Sequence, residues 1–160
     1  MAKIVYVGND TGESLFGFTH GLALTLEDVG TSDKWKNENT DAGHTKQTNS
    51  TFTEESGLQY NATHNSGNYP AFRAAINYRM SYSPAAPTGC SAWFLASGYQ
   101  WKKMADAVGG YDKLGLTGNA NYWSSTELND TNAWYFYSGN GGWNGGNKDS
   151  GYYVRACLAF

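Results

Sequence analysis

The chain is short of cations. Its 160 residues carry 11 Lys and Arg against 14 Asp and Glu, a net charge of −3, so no basic footprint exists to neutralise a phosphate backbone and nucleic acid is not an expected partner. Long apolar runs are also missing. No segment approaches the ~20 apolar residues that cross a bilayer, so no membrane span is expected, and the opening Met1 to Gly8 is too short in apolar residues to act as the core of a signal peptide. Cysteine is scarce: Cys90 and Cys157 cannot build a zinc site by themselves, and either form one disulfide or remain buried free thiols.

Catalytic groups are equally sparse. His20, His44 and His64 stand in no spacing that suggests a Ser, His and Asp arrangement or a Cys and His pair, so no enzyme, cofactor or metal is expected. What is abundant is aromatic surface. Twelve Tyr, 6 Trp and 7 Phe bring the aromatic fraction to 16%, equal to the charged fraction, and rings that are half apolar and half hydrogen-bonding are common in recognition surfaces. A chain of this length makes one domain, 1–160, burying roughly 70% of its unfolded surface.

Local patterns place the elements. Lys3 to Val7 and Leu22 to Leu26 read as strands. Thr31 to Asn68 is polar and reads as a long excursion pinned by Trp35, Phe52, Leu58 and Tyr60, with a short helix near Thr53 to Tyr60. Pro70 at a first helical position, followed by Phe72, Ala75, Ile76 and Met80, predicts a helix over 70–82 that Pro84 and Pro87 end. Trp93 to Leu95 is a short buried strand, after which Ser97 and Gln100 give capping-box spacing for a second helix. Trp101, Met104, Ala105 and Val108 mark its buried face, and Gly109-Gly110 stops it. Ala133 to Tyr137 and Tyr152 to Phe160 then read as strands, joined by a glycine-rich connection. In the last strand Val154, Ala156, Leu158 and Phe160 share one face, opposite Tyr153, Arg155 and Cys157. The fold class is α+β.

Trp93-Phe94-Leu95-Ala96-Ser97 with Gln100-Trp101, Tyr122-Trp123-Ser124-Ser125-Thr126-Glu127, Ala133-Trp134 and Tyr153-Val154-Arg155-Ala156 together resemble the Fibrobacter-type major paralogous domain family. That family includes the variable proteins of diversity-generating retroelements, and the resemblance runs from about Pro70 to Phe160. It implies a C-type-lectin-like fold: two helices packed on antiparallel sheets, paired terminal strands, and a loop-rich sheet carrying the ligand face. It also implies that adenines in a template repeat are miscopied, which turns Asn codons into others within a variable region, here 119–157. Residues 128–152 are dominated by Asn, Asp, Gly, Ser and Tyr, which single or double adenine replacements reach from Asn. The same residues are ordinary turn formers.

The candidate ligand contacts are Asn129, Asp130, Asn132, Tyr135, Tyr137, Asn140, Trp143, Asn144, Asn147, Asp149, Ser150 and Tyr152, where Tyr offers area with few rotors and short polar residues offer adaptable hydrogen bonds. Alternation sets Trp134 and Phe136 in the core, opposite Tyr135 and Tyr137. Trp143 is either an exposed binding ring or an anchor for its loop. Trp123 to Glu127 and Arg155 read as frame, with Arg155 paired to a carboxylate or carbonyls. Glu127, Asn129, Asp130 and Asp149 could offer oxygens to calcium, yet the chain lacks the Glu-Pro-Asn and Trp-Asn-Asp tripeptides of calcium-dependent lectins. The sequence therefore suggests a non-enzymatic ligand-binding or adhesion protein, a retroelement variable protein in the first reading and a constant adhesin or pilus-type subunit in the second. A formylglycine-generating type of enzyme, which shares the fold and uses cysteines, stands third. The partner would be a protein or glycan, such as a host or bacterial surface receptor, and the setting a cell surface, secretion or a phage particle.

Overall fold

A computed structural model describes residues 2–78 and 86–160. Among these residues nine strands form two sheets and three α-helices accompany them, so the class is α+β as expected. The strands are β1 (Ala2–Val7), β2 (Gly21–Thr25), β3 (Gly30–Lys34), β4 (Phe94–Leu95), β5 (Asn121–Glu127), β6 (Asn132–Tyr137), β7 (Trp143–Asn147), β8 (Gly151–Val154) and β9 (Ala156–Ala159). The helices are α1 (Gly57–Thr63), α2 (Pro70–Ile76) and α3 (Gly98–Val108).

The first sheet has the order β1-β2-β9-β4 and the second β3-β8-β5-β6-β7. Every described pairing is antiparallel except β5 with β8. The expected direct pairing of the terminal strands does not occur, because β2 lies between β1 and β9. Burial explains the order: all five residues of β2 are buried, whereas β1 exposes Ile4 and Val7 and can only serve as an edge.

Alternation along β2 and β9 feeds two apolar clusters. Leu22, Leu24, Cys157 and Ala159 join Phe94, Trp101, Met104, Tyr122 and Phe136, while Ala23, Ala156 and Leu158 join Trp35, Phe72, Trp93, Leu95, Trp123 and Val154. Strands β2 and β9 are thus buried on both faces, with side chains of α3 in one cluster and of α2 in the other. Helix α3 begins at the expected capping box, in which Ser97 Oγ accepts from the Gln100 amide and Gln100 Oε1 accepts from the Ser97 amide at 2.9 Å. It ends at Gly109, whose φ of 85° suits glycine. Helix α2 starts with Pro70 as read but ends at Ile76, with Asn77 as its C-cap and Tyr78 beyond it, so it stops short of the expected 82; Met80 and Pro84 lie outside the described residues.

Three further departures concern strands. The polar Gly30 to Lys34 pairs with β8, the glycine-rich connection contains β7, and the expected strand Tyr152 to Phe160 is two strands in different sheets that meet at Arg155. Both thiols are free, Cys157 fully buried and Cys90 half-buried, so the disulfide alternative is not realised.

Candidate ligand-binding face

Cross-strand register gathers one group of the tract's side chains. Tyr135 on β6 lies opposite Trp123 on β5 and Asn144 on β7, and residues directly opposite one another project from the same face. Tyr152 of β8 completes the group, with ring centroids 4.4 Å from Trp123 and 4.6 Å from Tyr135. Trp123 is fully buried and donates from Nε1 to the Asp33 carbonyl at 2.8 Å, while the two tyrosines are half-buried against it. A Cβ at Gly146 would lie 2.8 Å from the Tyr152 ring and 3.0 Å from that of Tyr135, so both rings lie close to bare backbone. Burial, then the Tyr135 hydroxyl nearby, raises the Tyr152 phenol above its usual range. Asn144 is exposed on this face, and Tyr137 follows two residues along β6, its hydroxyl donating to Asn119 Oδ1 at 2.8 Å.

Trp143 points away from that group. Its ring packs on Phe52 at 4.6 Å and Phe136 at 5.3 Å, and Nε1 donates to the Tyr111 hydroxyl at 2.8 Å. Of the two roles open to it, the packing is that of an anchor. Phe136 and Trp134 are buried as alternation required, and the Trp134 ring packs edge-on against Phe52.

The remaining candidates occupy turns and strand ends. Asn129 Oδ1 accepts from the amides of Thr131 and Asn132 at 3.0 and 2.8 Å, which builds the β5–β6 turn. Asn140 Oδ1 does the same for Gly142 at 2.9 Å in the β6–β7 turn. Asp130 pairs with Lys46 at the surface. Asn132 and Asn147 are opposite each other at one end of β6 and β7, and Asp149 and Ser150 connect β7 to β8. The structure therefore unites Tyr135, Tyr137, Asn144 and Tyr152 and distributes the others around them.

One residue of the tract escaped the sequence reading. Lys148 is fully buried in an ion pair with fully buried Glu127, and it donates to the carbonyls of Thr40 at 2.9 Å and Asp130 at 2.7 Å. Glu127 also accepts from the amides of Ala42 at 3.0 Å and His44 at 3.1 Å. Burial lowers the Lys148 pKa, and Glu127 opposes that shift. The available signal was that Lys148 is the lone Lys or Arg in residues 128–152.

The other cassettes are frame, as read. Ser124 Oγ donates to the Trp134 carbonyl at 2.8 Å, and Thr126 Oγ1 accepts from the Gly98 amide at 2.9 Å. Arg155 pairs with Asp28 at 2.8 Å and donates to the Thr25 carbonyl at 2.9 Å, meeting both expectations for it. No group of three or more His, Cys, Asp or Glu side chains placed to hold a metal occurs among the described residues. No helix among them is long and apolar enough to cross a membrane.

No protein-family model matches the chain, and no curated protein sequence matches it. Among solved structures it resembles a fimbrial protein from Bacteroides ovatus, with a TM-score of 0.58 and 15% sequence identity. The match covers 98% of this chain and 43% of the fimbrial protein, so the chain spans less than half the length of that neighbour. At this identity the likeness is one of fold.

Proposed function

We propose that the chain is a non-enzymatic binding module of a cell-surface structure, an adhesin or pilus-type subunit with a C-type-lectin-like frame. The observation that carries this reading is the face of Tyr135, Asn144 and Tyr152, where half-buried rings are fixed by Trp123 and Gly146 and an exposed amide stands beside them. Preorganised aromatic area costs little further entropy on binding, which suits recognition of a protein or glycan receptor. The fold shared with part of a fimbrial protein supports the surface setting.

Two measurements test this. Antibody labelling of intact cells bearing the natural gene should mark the cell exterior or fibres, and label confined to the cytoplasm would sink the proposal. Asn144→Trp alters the face without disturbing the packed rings; it should reduce adherence to surfaces that the parent binds, at an unchanged melting temperature.

A finer reading makes the same face the exchangeable part of a retroelement variable protein. Exposure of Asn144, Asn147 and Asp149 on a buried frame favours it. Lys148 restricts it, because a lysine codon begins with two adenines and this side chain has a fixed structural task. The reading requires a near-copy of the codons for 119–157 in flanking DNA, differing at adenines and sparing codon 148. Absence of that copy and of a reverse transcriptase leaves the constant adhesin.

A further inference from the structure

A second cleft lies away from the tract, between the Gly12–Leu15 loop, the Thr45–Gln47 segment and the N-terminal approach to α1, with a volume of about 450 Å³. Its base holds Glu55, whose residue is 8% exposed and whose Oε1 has no partner in hydrogen-bond geometry among the described residues, the Tyr60 hydroxyl and the Gln47 side chain being the nearby donors. The other oxygen, Oε2, accepts from the Thr126 hydroxyl. The contrast with buried Glu13 is informative, because that carboxylate takes the Leu58 amide at 2.9 Å, Gln100 Nε2 at 2.7 Å and the Ser56 hydroxyl. A buried acceptor left without a donor is disfavoured, so Glu55 Oε1 is positioned for a donor that arrives from the cleft.

The chemistry of the walls narrows what that donor belongs to. No Lys or Arg lines the cleft, and Glu54 lines it beside Glu55, which argues against an anion. Thr45, Gln59 and the Tyr60 hydroxyl bring donors as well as acceptors, while the Gln47 side chain is held at the wall by Thr53. An ammonium would use only the acceptors, whereas adjacent sugar hydroxyls both donate and accept. The Tyr60 ring is stacked on His44 at 3.6 Å, which fixes its position, and Leu15 is 88% exposed at the rim. Both offer apolar area to the C–H face of a sugar ring.

We propose that this cleft is a saccharide subsite in which Glu55 Oε1 accepts a hydrogen bond from a ring hydroxyl. Burial raises the Glu55 carboxyl above its usual range, with the Thr126 hydroxyl and the approach of Tyr60 and Gln47 opposing. None of residues 119–157 lines the cleft, which makes it a site distinct from the β6–β7 face.

The test is a titration of isotope-labelled protein, followed by NMR, with methyl glycosides of glucose, galactose, mannose and N-acetylglucosamine. At least one should shift the side-chain amides of Gln47 and Gln59 and the Thr45 backbone amide. Glu55→Gln should weaken that binding about tenfold or more. Gln59→Ala, at an exposed helix position, should weaken it without affecting folding and serves if the Glu55 variant is unstable. The proposal is overturned by an absence of shifts with all four glycosides, by shifts confined to residues 128–152, or by affinity unchanged in both variants. Shifts at the cleft with methylammonium but with no glycoside would also overturn it, as they would make the cleft a cation site.

Discussion

The Lys148 ammonium meets the Glu127 carboxylate with neither side chain accessible to solvent. Each belongs to a different part of the chain's design: Glu127 closes the Trp-Ser-Ser-Thr cassette, and Lys148 sits in the Asn/Gly tract. The pair fastens the tract to the frame, since the same two groups also hold Thr40, Ala42, His44 and Asp130 through backbone atoms.

Removing only the cation should therefore be severe. Lys148→Met leaves a buried carboxylate without its counter-charge and should lower unfolding stability by about 3–5 kcal/mol, measured by urea titration. Pairing it with Glu127→Gln should recover part of the loss, because it removes the uncompensated charge while the amide oxygen still accepts from one of the Ala42 and His44 amides. Equal stability of the single and double variants would contradict the coupling.

Acid should loosen the same region through His44. Burial chiefly, then neighbouring His64, lowers the His44 pKa from 6.5 to about 3, while the bond to the Ser125 carbonyl at 3.1 Å opposes the shift. The folded state thus binds the proton later than the unfolded state. His44 contributes stability that is fully present above pH 6.5 and is lost progressively as pH falls toward about 3. Between about pH 6.5 and pH 5 the loss from this group should be about 2 kcal/mol. Glu13 and Glu55, both raised by burial, change stability in the opposite sense at lower pH. The His44 share is therefore read as the parent minus His44→Gln difference, which should shrink as pH falls. A constant difference would refute the assignment.

How much of this was legible in the sequence depends on how local each signal is. The capping box of α3 uses residues three apart, and the two faces of Val154 to Phe160 follow from alternation, so both were readable. Strand β7 was not, because its residues Trp-Asn-Gly-Gly-Asn carry turn chemistry and low strand propensity. It is a strand because glycine lets Leu128, Tyr135 and Tyr152 approach its backbone. The break at Arg155 and the burial of Lys148 depend on Asp28 and Glu127, partners 127 and 21 residues away. The Glu55 cleft likewise combines residues 12–15 with 45–60. No window of sequence contains it.

Glycine positions in this region should differ in tolerance. Gly146→Ala places a methyl within 3.0 Å of both tyrosine rings, and it should cost about 1–3 kcal/mol and displace the ring resonances of Tyr135 and Tyr152. Gly118→Ala meets nothing within 4 Å and lies outside the left-handed region, so it should be neutral or slightly stabilising. Thermal melts and aromatic NMR spectra of the two variants decide this; equal effects would remove the role given to Gly146.

Neighbouring positions Trp143 and Asn144 separate anchor from contact most directly. Their side chains leave β7 on opposite faces, Trp143 onto Phe52, Phe136 and the Tyr111 hydroxyl, and Asn144 to solvent beside Tyr135. Trp143→Ala removes packed ring area and leaves the Tyr111 hydroxyl without its donor, so it should destabilise by about 2–4 kcal/mol. Asn144→Ala should stay within about 0.5 kcal/mol of the parent. If the order were reversed, Trp143 would belong to the ligand face and Asn144 to the frame. The expected order instead makes Trp143 a constraint on the fold and leaves the exposed Asn144 free of one.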